Sequence, residues 1–206
     1  MPMILLVRHA ENDYTRKGHL AGRLPAVHLN QRGREQAQAL AQVLKKAPIK
    51  AIYSSPLERA LETAQPLAQT HQLEVRIHPG LVELDYGEWQ GKSLKGLRRL
   101  KSWKIVQSMP SLMQFPKGEM ILEAQYRITQ TLHEIANQYA DGDWVVCVTH
   151  ADPIKLAIAH FLGMPLDTYQ RLNVGLASIN ALFLDHQSVR LVALNYSPTL
   201  WDVPEK

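Results

Sequence analysis

Two stretches decide the reading: MILLVRHA (3–10) near the start of the chain and WVVCVTHADP (144–153) about two-thirds along it. Each is a continuous apolar run that climbs to valine and breaks into a histidine followed by alanine, at His9-Ala10 and at His150-Ala151. A run that is apolar at every position, rather than at every second one, marks a strand covered on both faces, as in a parallel sheet between layers of helices. Two such strands with the same ending predict that the fold brings their histidines together.

Working outward, the sequence supplies the covering helices. In NQRGREQAQALAQVLKK (30–46), Ala37, Leu40, Ala41 and Leu44 keep one helical face, and Asn30 is a suitable N-cap. KAIYS (50–54) reads as a short strand, and Ser55-Pro56-Leu57-Glu58 reads as a capping box with proline at the first helical position, opening a helix to about Thr70. LEVRIH (73–78) predicts another strand before the Pro79-Gly80 turn. An amphipathic helix follows, with Ile121, Ala124, Ile128, Leu132, Ile135 and Tyr139 on one face, ended by Asp141-Gly142-Asp143. Asp152-Pro153 is expected to cap a helix that runs to Leu162, with Gly163 just past its end. ASINALFL (177–184) and SVRLVAL (188–194), around Asp185-His186-Gln187, predict a terminal hairpin. Extended and helical patterns alternate, so the expected fold class is α/β: a three-layer sandwich with a mainly parallel central sheet and helices on both faces. The expected organisation is one domain over 1–206, with about 88–118, irregular and rich in Gly and Pro, as an insertion or lid.

Composition narrows the function. With 46% hydrophobic and 20% charged residues the chain is neither disordered nor a coiled coil. No apolar run approaches the roughly 20 residues of a membrane span, and MPMILLVRHA lacks the basic start of a signal peptide. The lone Cys147, inside VVCVT, rules out an internal disulfide, reads as a small core residue and suits a reducing cytoplasm. The net charge of +4 raises nucleic-acid binding, but the basic residues are dispersed except in KSLKGLRRLKSWK (92–104). A solvated helix face is the simplest account of that stretch. An electrostatic funnel for anionic substrates comes next. RNA binding comes last, because no RNP, KH or zinc-finger spacing is present.

The chemistry gathers at the strand ends, where ligands bind in open α/β sheets. Arg8 and His9 end the first strand, His150 ends the second long one just before a helix, and Ser55 to Arg59 occupy the first turn of the helix after KAIYS. Helix N-termini offer unpaired N–H groups and a positive dipole end, and arginine forks match phosphate oxygens, so the combination describes a phosphate site.

At these residues the sequence resembles the histidine phosphatase superfamily, which includes the cofactor-dependent phosphoglycerate mutases. The family's leading R-H-G motif stands here as Arg8-His9-Ala10, followed by Glu11-Asn12. AGRLPAVHLNQRGREQA (21–37) is similar to the next block through Asn30, Gly33, Gln36 and Ala37. YSSPLERALETA (53–64) carries the clamp arginine as Arg59 and the helical threonine as Thr63. LVELDYGEWQGKS holds Glu83, Gly87 and Gly91, PKGEMILEAQYR resembles the G-E-S block with its later Arg127, and VVCVTHADPIK is similar to the second His block at His150.

The resemblance implies a phosphoglycerate mutase-like fold and a phosphatase that needs neither metal nor cofactor. Within it, His9 is the nucleophile that forms a phosphohistidine, while Arg8, Arg59 and His150 hold the phosphoryl oxygens. Glu83 protonates the leaving oxygen and then serves as base toward water. Asn12 and Ala151 are further substrate-binding positions. No H-x-H, H-E-x-x-H or C-x-x-C spacing offers a metal site. The expected partner is a small phosphorylated substrate, with a homodimer left open and membrane and nucleic acid disfavoured.

Three positions depart from the family. Ala10 and Ala151 replace glycines, which matters if either position needs positive φ or very close backbone approach to phosphate, and Met120 replaces the Ser of G-E-S. A mutase returning the phosphoryl group to bound acid is the nearest alternative, and the short 92–118 segment favours hydrolysis over it. A non-catalytic phospholigand or RNA binder is the third reading, and Glu83 speaks against it because a binder has no use for an acid. His19, His28, His71, His78, His133, His160 and His186 are expected at the surface or in packing, with His19 and His28 as the exceptions to watch. Trp89 and Trp103 pose a choice between packing and substrate stacking.

Overall fold

The computed structural model describes residues 1–185 and 188–197. His186, Gln187 and the residues from 198 on lie outside that range, so the expectation for the hairpin tip does too. In chain order the elements are β1 (Met3–Arg8), α1 (Asp13–Arg16), α2 (Gln31–Val43), β2 (Ile49–Ser54), α3 (Glu58–His71), β3 (Val75–Ile77), α4 (Leu94–Leu97), α5 (Lys101–Ser108), α6 (Ile121–Ala136), β4 (Trp144–Thr149), α7 (Ala151–Phe161), β5 (Ile179–Leu184) and β6 (Val189–Tyr196). The strands form one sheet in the order β3-β2-β4-β1-β5-β6. Pairing is parallel from β3 through β1 and antiparallel across β5 and β6.

The two continuous apolar runs lie side by side at the centre and are covered on both faces. On β1, Ile4 and Leu6 face one layer with Val145 and Cys147 of β4, under Ile128 and Leu132 of α6 and Ile154 and Ile158 of α7. Met3, Leu5 and Val7 face the other layer with Val146 and Val148, under Leu40 of α2 and Ala64 and Leu67 of α3. Side chains alternate across a strand, so a strand buried on both sides must be apolar throughout. This is the three-layer α/β arrangement that the runs foretold. Each fully buried aliphatic side chain contributes about 1.5–3 kcal/mol.

Topology places the site. From β1 the chain crosses through α2 to β2, on the far side of β4; it returns through α6, on the opposite face, to insert β4 between them. Arg8 is in register with Thr149, so the residues that follow, His9 and His150, emerge next to each other at the carboxyl end of the sheet. Such a switch point leaves a crevice between diverging connections.

Several local expectations are corrected. The capping box at Ser55 does not form: α3 begins at Glu58 with Leu57 at the cap and no side-chain cap bond. The Ser55 hydroxyl lies 2.8 Å from His150 Nε2, and Glu58 Oε1 instead accepts from the Ala26 N–H at 3.1 Å. Asp152 is not the cap of α7; His150 holds that position, and the Asp152 carboxylate is taken by the Tyr86 hydroxyl at 2.7 Å. Tyr139 lies beyond the end of α6, although its ring still packs on the core that α6 covers. The 88–118 segment is not irregular throughout, since it contains α4 and α5. Asn30 does cap α2, accepting from the Gly33 N–H at 2.9 Å. A Cβ on Gly33 would come within 2.0 Å of the Glu11 carbonyl oxygen, so only glycine lets α2 lie against the loop leaving β1.

Candidate active site

Arg8, His9, Asn12, Arg59, Glu83 and Ala151 line one cavity of about 530 Å³ at the carboxyl end of the sheet. β1 delivers Arg8 and His9, the cap of α1 delivers Asn12, the first turn of α3 delivers Arg59, and the first residue of α7 is Ala151. Glu83 comes from an irregular segment. His150 stands behind this wall, completely buried, with its ring centroid 5.2 Å from that of His9.

Hydrogen bonds fix the state of both histidines. His9 Nδ1 lies 2.8 Å from the Ala10 carbonyl oxygen, which can only accept. Nδ1 therefore carries the proton and Nε2 keeps its lone pair. Burial, and then the positive charges of Arg59 and Arg8, push the His9 pKa well below the usual histidine range, so the ring is neutral and its free nitrogen can act as a nucleophile. His150 has the opposite tautomer. Its Nδ1 faces Arg59 Nη2, which can only donate, at 3.3 Å, so Nε2 bears the hydrogen and donates to Ser55 Oγ at 2.8 Å. Burial and Arg59 hold the His150 pKa well below the ordinary value as well.

The arginines are pinned by backbone and left with spare donors. Arg8 Nη1 donates to the Val174 carbonyl at 2.7 Å, and Arg59 Nη2 donates to the Gly22 carbonyl at 2.6 Å. Among the described residues, Arg8 Nε, Arg59 Nε and Nη1, and Asn12 Nδ2 are buried with no hydrogen-bond partner. Orphaned buried donors cost free energy, the more so on a cation, and all four belong to residues that line the same cavity.

Glu83, 8% exposed, accepts from the Leu84 N–H at 2.9 Å. Burial, reinforced by the charge of Asp152, pushes its pKa up to about 7 against the pull of Arg59 and Arg8. A carboxyl group poised there can give a proton and take one back at neutral pH.

The two alanines fit without strain. Positive φ among non-glycine residues is confined to Ala26, Gln72, Lys117, Ala177 and Asn195, within the described range, so neither Ala10 nor Ala151 occupies a conformation that needs glycine. The Ala10 N–H donates to Thr63 Oγ1 at 2.9 Å, and its methyl packs in a small cluster with Leu29, Ala37 and Ala177.

The outer wall is formed by the segment expected as a lid. Leu94, Arg98, Trp103 and Val106 reach the cavity, while the other five basic residues of 92–104 are exposed away from it. Trp89 and Trp103 stack on each other with centroids 6.0 Å apart, and both also line the cavity, so packing and a place in the cavity wall hold for each of them. Of the histidines outside the motifs, His19 lines the cavity, whereas His28 pairs with Glu62 elsewhere on the surface. Sequence reasoning missed Tyr86, Lys155 and Gln170, which join Asp152 in one polar network on the cavity wall. Only the position of Asp152, two residues after His150, hinted at it. Among the described residues no three His, Cys, Asp or Glu side chains are grouped to hold a metal ion, and no helix is long and apolar enough to cross a membrane.

A doubly covered sheet with paired histidines and arginines at its strand ends defines an α/β enzyme of phosphate chemistry. The profile of the histidine phosphatase superfamily (branch 1) matches residues 4–197, and the chain belongs to that superfamily. It is 28% identical to phosphoserine phosphatase 1 of Hydrogenobacter thermophilus over 95% of this chain and 92% of that one. It is 30% identical to the 2,3-bisphosphoglycerate-dependent phosphoglycerate mutase of Thermoplasma acidophilum, over 88% of this chain and 87% of that one. Among solved structures, a mycobacterial glucosyl-3-phosphoglycerate phosphatase in complex with VO3 superposes with a TM-score of 0.87 at 28% identity, covering 96% of this chain and all of that one. The protein is a phosphatase of the histidine phosphatase type.

Proposed function

We propose that this enzyme hydrolyses the phosphomonoester of a small metabolite through a phosphohistidine on His9, without a metal ion. The observation that carries this reading is that four buried, unpartnered N–H-bearing atoms belong to Arg8, Asn12 and Arg59, which line the same cavity as a neutral His9. Those donors suit the three equatorial oxygens of a transferring phosphoryl group, whose charge they neutralise.

In the first step His9 Nε2 attacks phosphorus in line, the P–O ester bond breaks, and the Glu83 proton goes to the leaving oxygen, releasing the alcohol. In the second, the Glu83 carboxylate takes a proton from water as its oxygen attacks phosphorus. The P–N bond breaks, and inorganic phosphate leaves with His9 neutral again. His150, whose Nδ1 accepts from Arg59 Nη2 at 3.3 Å, steadies that guanidinium group from behind the cavity wall. The similarity to a phosphoserine phosphatase and to a glucosyl-3-phosphoglycerate phosphatase makes phosphoserine and a phosphoglycerate derivative the first substrates to try.

The test is phosphate release from a panel of phosphomonoesters with EDTA present, alongside acid-quench trapping of labelled enzyme. Wild type should release phosphate and trap an acid-labile phosphoenzyme, and His9→Ala should do neither. Full activity of His9→Ala would sink the reading. The mutase-like relative supports a second reading, in which 3- and 2-phosphoglycerate interconvert without net phosphate release.

A further inference from the structure

Glu83 stands on residues 82–86, which have no regular secondary structure. Its backbone is nevertheless fixed carbonyl by carbonyl. Arg127, on α6, donates through Nη1 to the carbonyls of Gly80 and Val82, both at 2.9 Å. Arg23 donates through Nε to the Glu83 carbonyl at 2.8 Å. Both arginines turn their Nη2 groups onto one oxygen of Glu119, each at 3.0 Å, and the same oxygen accepts from the Asp85 N–H at 2.8 Å. The Glu119 N–H donates back to the Asp85 carbonyl at 3.0 Å. Next to it, a Cβ on Gly118 would come within 2.3 Å of that carbonyl, so the two segments lie as close as backbones can.

We propose that Glu119, with Arg23 and Arg127, forms an ionic buckle whose purpose is to set the position of the Glu83 carboxyl group at the reacting phosphoryl group. Glu119, Arg23 and Arg127 are positioning residues and touch no substrate. They hold the peptide groups on both sides of Glu83, where a shift of about 1 Å in a proton donor costs on the order of 10²-fold in rate. Surface ion pairs contribute little on their own. Here one carboxylate oxygen gathers two guanidinium groups and a peptide N–H, and both guanidinium groups also bind backbone, so charge-assisted bonds close a ring around the segment. The inference rests on the reading of Glu83 as the acid.

Leaving-group dependence tests it. Departure of 4-nitrophenolate needs little protonation, whereas an alkyl alkoxide needs a proton as the ester bond breaks. kcat/KM is the right quantity, because it covers the steps through formation of the phosphoenzyme and excludes its hydrolysis. For Glu119→Gln, kcat/KM should fall about 10- to 100-fold on an alkyl phosphate such as phosphoserine and only a few-fold on 4-nitrophenyl phosphate. The ratio of the two rates in one preparation cancels any loss of folded enzyme, so a merely destabilised variant leaves it unchanged. Glu83→Gln should show the same selective loss, and Glu83→Gln/Glu119→Gln should lose little beyond Glu83→Gln alone. An equal loss on both substrates in Glu119→Gln, with a selective loss in Glu83→Gln, overturns the buckle and leaves the acid assignment standing. A non-selective Glu83→Gln overturns the assignment and the buckle together.

Discussion

The site has two halves that are built differently. Arg8, His9, Arg59 and His150 are carried by the ends of β1 and β4 and the start of α3, at the middle of a sheet covered on both sides. Glu83 stands on an irregular segment whose geometry depends on side chains from three distant places in the sequence. In the mechanism we propose, the first half binds the phosphoryl group and supplies the nucleophile, and the second moves the proton. Phosphoryl binding thus inherits the rigidity of the fold, whereas proton transfer depends on a few replaceable contacts. In phosphoryl transfer, positioning and charge do most of the work and the proton matters in proportion to the leaving group.

The largest effect should come from the sheet half. His9→Ala removes the nucleophile and should lower kcat on every phosphomonoester by roughly 10⁴-fold or more, with no phosphoenzyme in acid-quench trapping. Arg59→Lys should come next. It keeps the charge but loses the fork that spans Gly22, His150 and the two spare donors. Removing one such donor costs about 10²–10³-fold in kcat, and here the loss should be the same for alkyl and aryl phosphates. Equal loss on both substrates is the signature of the sheet half, and an Arg59→Lys variant that distinguished them would break the division.

The loop half should show itself through pH. Glu83 must be protonated to act as acid, and its pKa is raised to about 7 by burial. On alkyl phosphates kcat/KM should therefore fall as pH rises through about 7. Glu83→Gln should remove that limb along with about 10²–10⁴ of the rate, while aryl phosphates keep most of theirs. The same shift bears on stability. A carboxyl whose folded pKa lies above its unfolded value holds a proton that the unfolded chain has lost. Its burial thus weakens the fold progressively from about pH 4 to about pH 7, and Glu83→Gln should flatten that part of a denaturation-versus-pH curve.

The contrast also explains what the sequence disclosed. Arg8, His9 and His150 were legible because each ends a run whose apolar continuity marks a central strand, and strand ends are where such sheets place chemistry. Arg59 was legible for its place in the first turn after KAIYS. The resemblance supplied Glu83, and no local pattern would have, because an irregular segment carries no periodicity. Arg23, Glu119 and Arg127 lie up to about a hundred residues apart, and their meeting follows from tertiary packing alone. The misjudged helix starts have a related cause. Ser55 and Asp152 have cap chemistry, but the site takes both side chains for other work, Ser55 on His150 and Asp152 on Tyr86. Local propensity yields where a tertiary partner binds the same atom.

The smallest predicted effect separates the halves most finely, because it concerns backbone alone. Ala10 stands where the family has glycine, directly after His9. Its φ is not positive, its N–H is held by Thr63, and the register of β1 with β4 fixes the residues before it. The methyl fills a fully buried cluster with Leu29, Ala37 and Ala177. Ala10→Gly should therefore leave kcat/KM within a factor of about two, since neither the His9 tautomer nor the Thr63 bond depends on the methyl. It should cost about 1–2 kcal/mol from lost burial and added chain entropy, a drop of several degrees in Tm by calorimetry. A strand end held by a ladder can lose a side chain and pay only in stability, while the Glu83 segment, with no ladder, cannot lose Glu119 without losing rate. If Ala10→Gly instead changed kcat/KM tenfold, the backbone after His9 would prove to be set by that methyl, and the sheet half would be no more self-supporting than the loop.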